Sequence, residues 1–112
     1  MSNDDRAFMR QFKQGDTEML KAYADFSGAV FREEGPEIPK KYRELMAVAV
    51  GISKQCQYCI DAHTKAAVKA GATDAELAEA AWVAAAIGAG AAYTHGRLAF
   101  KASDAMPHAH TD

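Results

Sequence analysis

Two consecutive segments decide the reading: Glu44-Leu-Met-Ala-Val-Ala-Val-Gly-Ile52, then Cys56-Gln-Tyr-Cys59-Ile-Asp-Ala-His63. From Leu45 to Ile52 every residue is apolar or glycine, a run expected to form a helix buried on most sides. In the second segment Cys56, Cys59 and His63 are spaced i, i+3 and i+7, which on a helix places all three on one face. A thiol reacts as the thiolate, so it needs a neighbouring base or a helix N-terminus to hold the negative charge. This segment offers both: the cysteines fall near a helix start, where unpaired N–H groups and the dipole favour an anion, and His63 lies one turn below Cys59. Two thiols three residues apart on a helix are also within disulfide range, so one can resolve a sulfenic acid formed on the other.

Outward from this core the pattern is helical throughout, with no alternation suited to a half-buried strand. Residues 5–13 suit a short first helix. Asp16 suits the N-cap of a second, on which Met19, Tyr23, Phe26 and Val30 recur on one face until Gly35-Pro36 stops it. Pro39 suits the first turn of a third helix running to about Lys54. The fourth, bearing the cysteines, ends at Gly71. Thr73-Asp-Ala-Glu76 is a capping box opening a long Ala/Gly-rich helix through Leu77, Ala84 and Ala91, with Gly88 and Gly90 as sites for a kink. The tail from Ser103 onward is polar and expected to fray. The reading is therefore all-α, about five to six helices in one domain over residues 1–112, with a core motif at 44–90.

Composition narrows the function. The net charge is −2, without the basic surplus of a nucleic-acid binder. The start, Met1-Ser-Asn-Asp-Asp-Arg6, lacks the basic and apolar regions of a signal peptide, and the most apolar stretch, Ala78–Ala92, reads as too short to span a bilayer. The expectation is a cytoplasmic protein with no membrane or nucleic-acid partner. In a reducing compartment a cysteine pair is more often catalytic or metal-binding than a structural disulfide. Two other readings stay open on the residues alone: inert buried thiols, and a zinc site in which Glu44 or His95 joins Cys56, Cys59 and His63. Glu44, heading an apolar run with no further charge until Lys54, either turns inward to relay protons or pairs in solvent with Lys40 or Lys41; spacing alone favours the solvated pair. His95 reads as a packed or surface histidine, His108 and His110 as part of a solvated tail, and Tyr42, Tyr58, Trp82 and Tyr93 as core or interface residues. Lys40-Lys-Tyr-Arg43 reads as an exposed first turn.

The spacing E–x11–C–x2–C–x3–H, with the flanking Leu45-Met-Ala-Val-Ala-Val50, Thr64-Lys-Ala-Ala-Val-Lys-Ala-Gly71 and Glu76-Leu-Ala-Glu-Ala80, resembles the carboxymuconolactone decarboxylase superfamily, and within it the alkylhydroperoxidase D-like branch. The resemblance implies an all-helical fold assembled as a trimer or hexamer. It implies peroxide reduction with no cofactor or metal, Cys59 attacking, Cys56 resolving, and a Glu44–His63 proton relay activating Cys59. A peroxide substrate and an unidentified thiol or dithiol reductant would be its partners. Decarboxylase members lack the cysteine pair, so the pair points away from the alternative of a non-redox enzyme using His63 and Glu44 on a small carboxylated substrate. This chain departs from the best-known hydroperoxidases in carrying Tyr58 where they have a histidine, and in having one copy of the core helices instead of two.

Overall fold

The computed structural model describes residues 2–110. Among them there is no strand, and six helices follow in order: α1 (Asn3–Gly15), α2 (Thr17–Val30), α3 (Lys40–Ser53), α4 (Gln57–Lys69), α5 (Asp74–His95) and α6 (Arg97–Ser103). Their ends obey local chemistry. Ser2 and Asp5 form a capping box on α1, Asp16 accepts from the Met19 N–H at 3.0 Å to open α2, and Thr73 with Glu76 forms the box that opens α5. α4 closes in a Schellman motif: Gly71 at φ 101° donates to the Val68 carbonyl, and Ala72 donates to Ala67. α5 runs unbroken through Gly88 and Gly90.

α3 is the centre. It packs against α4 on one side and α5 on another, and the buried residues Leu45, Val48, Ala67 and Ala84 lie at those two contacts. The expectation that α3 is buried on most sides is corrected: Leu45, Val48 and Gly51 are buried, but Met46 and Val50 are at least half exposed. A 3.6-residue period gives one helix two packed flanks and leaves the remaining side bare. The basic first turn of α3 also differs from the expected solvated one. Lys40, Lys41 and Arg43 are half-buried; Lys40 pairs with Glu33 and Lys41 with Glu76, tying α3 to the start of α5.

Much apolar surface stays uncovered. A compact 12.0 kDa monomer exposes about 6,000 Å²; this chain exposes 9186 Å². Its radius of gyration is 19.9 Å, against about 13 Å for a compact domain of this length. Met19, Tyr23 and Phe26 on α2, and Trp82, Ile87, Tyr93 and Phe100 on α5 and α6, are all more than three-fifths exposed. None of Tyr42, Tyr58, Trp82 and Tyr93 belongs to the protomer's core. Gly96 does not interrupt the helical path, so Asp74–Ser103 forms 30 helical residues of mean hydropathy 1.2 in its most apolar window. By length and composition alone this is enough to cross a membrane, over a stretch longer than Ala78–Ala92.

The Lys41–Glu76 pair stands 2.9 Å apart with both side chains about a quarter exposed. The Lys41 ammonium and the Thr73 N–H hold the Glu76 carboxyl below its ordinary 4.5, and Glu76 in turn raises Lys41. A depressed carboxyl stabilises the fold at neutral pH and loses that contribution as pH falls through the lowered value. Lys41→Met is therefore expected to melt below wild type at pH 7, with the gap narrowing as pH drops below 4.5. Thermal denaturation followed by circular dichroism across that range checks it.

Candidate functional site

The α3–α4 turn builds the site. Lys54 caps α3, and Gln55 adopts φ 55°, a left-handed conformation usually left to glycine. Gln55 donates to the Ile52 carbonyl at 3.0 Å and Cys56 donates to Gly51 at 2.9 Å, the same Schellman closure that ends α4. This reversal delivers Cys56 as the N-cap of α4, where its sulfur accepts from the Cys59 N–H at 3.2 Å. Cys56 and Cys59 are disulfide-bonded with Cα atoms 5.2 Å apart. Gly51 is buried against this turn; a Cβ there would stand 3.2 Å from Cys59 Cβ, so glycine permits α3 and α4 to meet at the cysteine.

Glu44 and His63 meet on the other side of the same contact. Glu44 is 2% exposed, and His63 Nδ1 lies 2.6 Å from its Oε2. The solvated pairing that spacing favoured for Glu44 is thus not formed, since Lys40 and Lys41 are taken by other acids. With a carboxylate accepting, Nδ1 carries the proton and Nε2 is left free to accept another. A cavity of about 390 Å³ opens over Cys59 and His63, walled by Val30, Phe31, Met46, Ala47 and Val50. Cys56 does not line it.

Two further residues organise the site without having been singled out in the sequence. Arg43 spends its guanidinium on three backbone carbonyls: Nε on Ile38 at 2.9 Å, and one terminal nitrogen each on Val30 and Arg32 at 2.8 Å. Val30 and Arg32 flank Phe31, whose ring centroid lies 4.6 Å from that of His63. Arg43 thereby locks the C-terminal end of α2, and the residue it locks packs on the imidazole. A basic residue next to Glu44 was the available signal. Its targets lie up to 13 positions away across a proline-containing loop, which spacing does not reveal.

The remaining candidates stand apart. His95 is exposed on α5, and Tyr58 is exposed beside the disulfide. His108 and His110 lie against each other in the tail, at 4.1 Å between centroids with the ring planes tilted by 51°. Among the described residues no three His, Cys, Asp or Glu side chains converge closely enough to hold a metal, so the four-ligand set is not assembled.

A helical protein in which a Cys-x-x-Cys pair caps a helix beside a buried glutamate paired with a half-buried histidine is what the geometry defines. Residues 17–102 match the carboxymuconolactone decarboxylase family, and the chain belongs to it. A relative from Paracoccus denitrificans, "Uncharacterized protein 4 in cox locus", is 41% identical over 83 residues, covering 74% of this chain and 73% of that one. Among solved structures, a protein from Methanobacterium thermoautotrophicum superposes with a TM-score of 0.71 at 32% identity, over 80% of this chain and 98% of that one. The apo form of a carboxymuconolactone decarboxylase family protein from Legionella pneumophila does so at 0.66 and 28%, over 90% and 88%. α1 precedes the segment that matches the family.

Hydrogen bonds from a charged donor are worth about 1.5–3 kcal/mol each, with losses that are not additive. Arg43→Met is expected to lower stability by about 2–3 kcal/mol and to raise amide exchange across residues 30–38. The ring-current shift of His63 by Phe31 is expected to fall with it. Proton NMR and hydrogen exchange read both; unchanged exchange in that loop would contradict the clamp.

Proposed function

We propose that this protein is a thiol-dependent peroxide reductase, with Cys59 as the attacking sulfur, Cys56 as the resolving one, and Glu44–His63 as the proton relay. The observation that carries the reading is the coincidence of three features in one contact: a disulfide at the start of α4, a carboxylate removed from water against His63, and a cavity that reaches Cys59 and His63 but not Cys56.

The steps follow from these positions. In the reduced protein His63 Nε2 takes the Cys59 thiol proton, and Glu44 stabilises the imidazolium so formed. The thiolate attacks the terminal oxygen of a hydroperoxide. The O–O bond breaks, the departing alkoxide takes the proton from His63 and leaves as an alcohol, and Cys59 becomes a sulfenic acid. Cys56, held at the helix N-terminus where an anion is favoured, attacks the Cys59 sulfur. Water leaves, and the disulfide of this structure is formed. An external dithiol then returns two electrons and two protons. Non-redox lactone chemistry gives the disulfide no part.

Peroxide consumption with a dithiol reductant tests this. Cys59→Ser is expected to abolish it. Cys56→Ser is expected to stop after one turnover with a sulfenic acid that a dimedone-type reagent traps. Glu44→Gln is expected to slow turnover by about 10²-fold, the range of a lost acid–base contribution. Equal rates in wild type and both serine variants would remove the reading.

We further propose that the working form is a homo-oligomer, a trimer or hexamer, in the cytoplasm. The support is the surplus of about 3,000 Å² over a compact monomer, the size of obligate interfaces, together with large apolar side chains left bare on α1, α2, α5 and α6. Copies of the chain, not lipid, cover Asp74–Ser103 in this reading: its Ala/Gly-rich stretch suits close helix approach, and Lys41–Glu76 ties its start to α3. Sedimentation in detergent-free buffer is expected to show a trimer or hexamer at micromolar concentration. A compact monomer, or solubility only in detergent, would contradict it.

A further inference from the structure

The cavity over Cys59 and His63 also carries information about what enters it, and this inference rests on the peroxide-reductase reading. Its walls, Val30, Phe31, Met46, Ala47 and Val50, are apolar. Only two residues lining it carry a permanent charge, Arg43 and Lys54, and neither an aspartate nor a glutamate lines it. Arg43 is not free to bind a ligand, because its guanidinium already serves Ile38, Val30 and Arg32. Glu44, the carboxylate paired with the lining residue His63, is itself buried and held by that contact. Lys54 is different. It is exposed at the C-terminal end of α3, and among the described residues its ammonium makes no ion pair and no hydrogen bond. The site thus presents an apolar wall, a reactive sulfur and a single uncommitted cation.

From this we infer that the pocket selects aliphatic hydroperoxides carrying a carboxylate, with the chain against the Val30–Phe31–Met46–Val50 wall and the acid group on Lys54. A volume of about 390 Å³ admits a small ligand of this class. A carboxylate on an ammonium makes a charge-assisted bond that a neutral isostere does not replace. Lys54 is accordingly a specificity-determining residue and takes no part in proton transfer.

Binding is measured first on the oxidised protein, which is the state of this structure and needs no turnover. Isothermal titration with octanoate, 1-octanol and octylammonium is expected to rank the carboxylate about tenfold tighter than the alcohol, with the amine weakest. Lys54→Met is expected to bring carboxylate and alcohol to parity, and Lys54→Glu to reverse the preference between the two ions. The second measurement is the ratio of kcat/KM for a fatty-acid hydroperoxide to that for cumene hydroperoxide; Lys54→Met is expected to lower this ratio about tenfold. Octanoate binding no tighter than octanol in wild type, or a preference that survives Lys54→Met, overturns the inference. If the binding preference holds while no peroxide is consumed, the anion site stands and the peroxidase reading is what fails.

Discussion

A carboxylate taken out of water must find a partner, and in this protein that requirement governs the arrangement of α3 and α4. Glu44 is buried, and one of its two carboxylate oxygens, Oε2, lies 2.6 Å from His63 Nδ1. Taking His63 away would leave the buried carboxylate without its partner, a loss of about 3–5 kcal/mol in fully buried pairs and smaller here, where His63 is about a quarter exposed; the pair is still a determinant of how the two helices face each other. Apolar residues would fill the same space at less risk. That an acid is buried here instead, against an imidazole and beside two sulfurs, is an arrangement that suits moving protons more than it suits stability.

Three devices hold that pair in register with the sulfurs. Gly51 removes the Cβ that would otherwise keep Cys59 away from α3. The Schellman turn at Gln55 fixes where α4 begins, and so which residue caps it. A non-glycine residue in that left-handed position costs about 1–2 kcal/mol, a local strain accepted at the point where Cys56 must be delivered. The third is the Arg43 clamp, which brings Phe31 onto the imidazole from a different helix. Glu44 and Arg43 are adjacent in sequence, so the residue that orients the imidazole by charge and the residue that packs it by proxy move as one piece of α3.

The sequence disclosed the site better than it disclosed the surroundings. The stripe Cys56, Cys59, His63 and the capping box at Thr73 depend on contacts within a few residues, and local spacing reports those faithfully. Glu44 was ambiguous for the opposite reason: its partner is 19 positions away, and two lysines lay nearer in the chain. Resemblance to a family resolved what spacing did not. Arg43 and Phe31 went unseen because their contacts arise only when the loop through Pro36 and Pro39 folds back. The exposed faces of α2 and α5 illustrate a different limit. Periodicity identifies that a helix has an apolar side, but it does not say whether that side meets the same chain or another one.

That last distinction bears on how the site works. The buried core of the protomer is small and lies at the two flanks of α3, while the large aromatics sit outside it. Burial of Glu44 and the Gly51 contact are nevertheless complete within a single chain. The Glu44–His63 contact and the disulfide therefore need no second copy for their geometry; what further copies would supply is cover for α1, α2, α5 and α6. Under the proposed function, such a division would place the chemistry on the most constrained helix pair and leave assembly to elements whose packing can change without disturbing it. The open wall of the cavity, formed by Val30, Met46 and Val50, lies where these two regions meet. A neighbouring chain settling along α2 would narrow the entrance while leaving Cys59, His63 and Glu44 in place, so assembly would change what reaches the sulfur more than how the sulfur reacts.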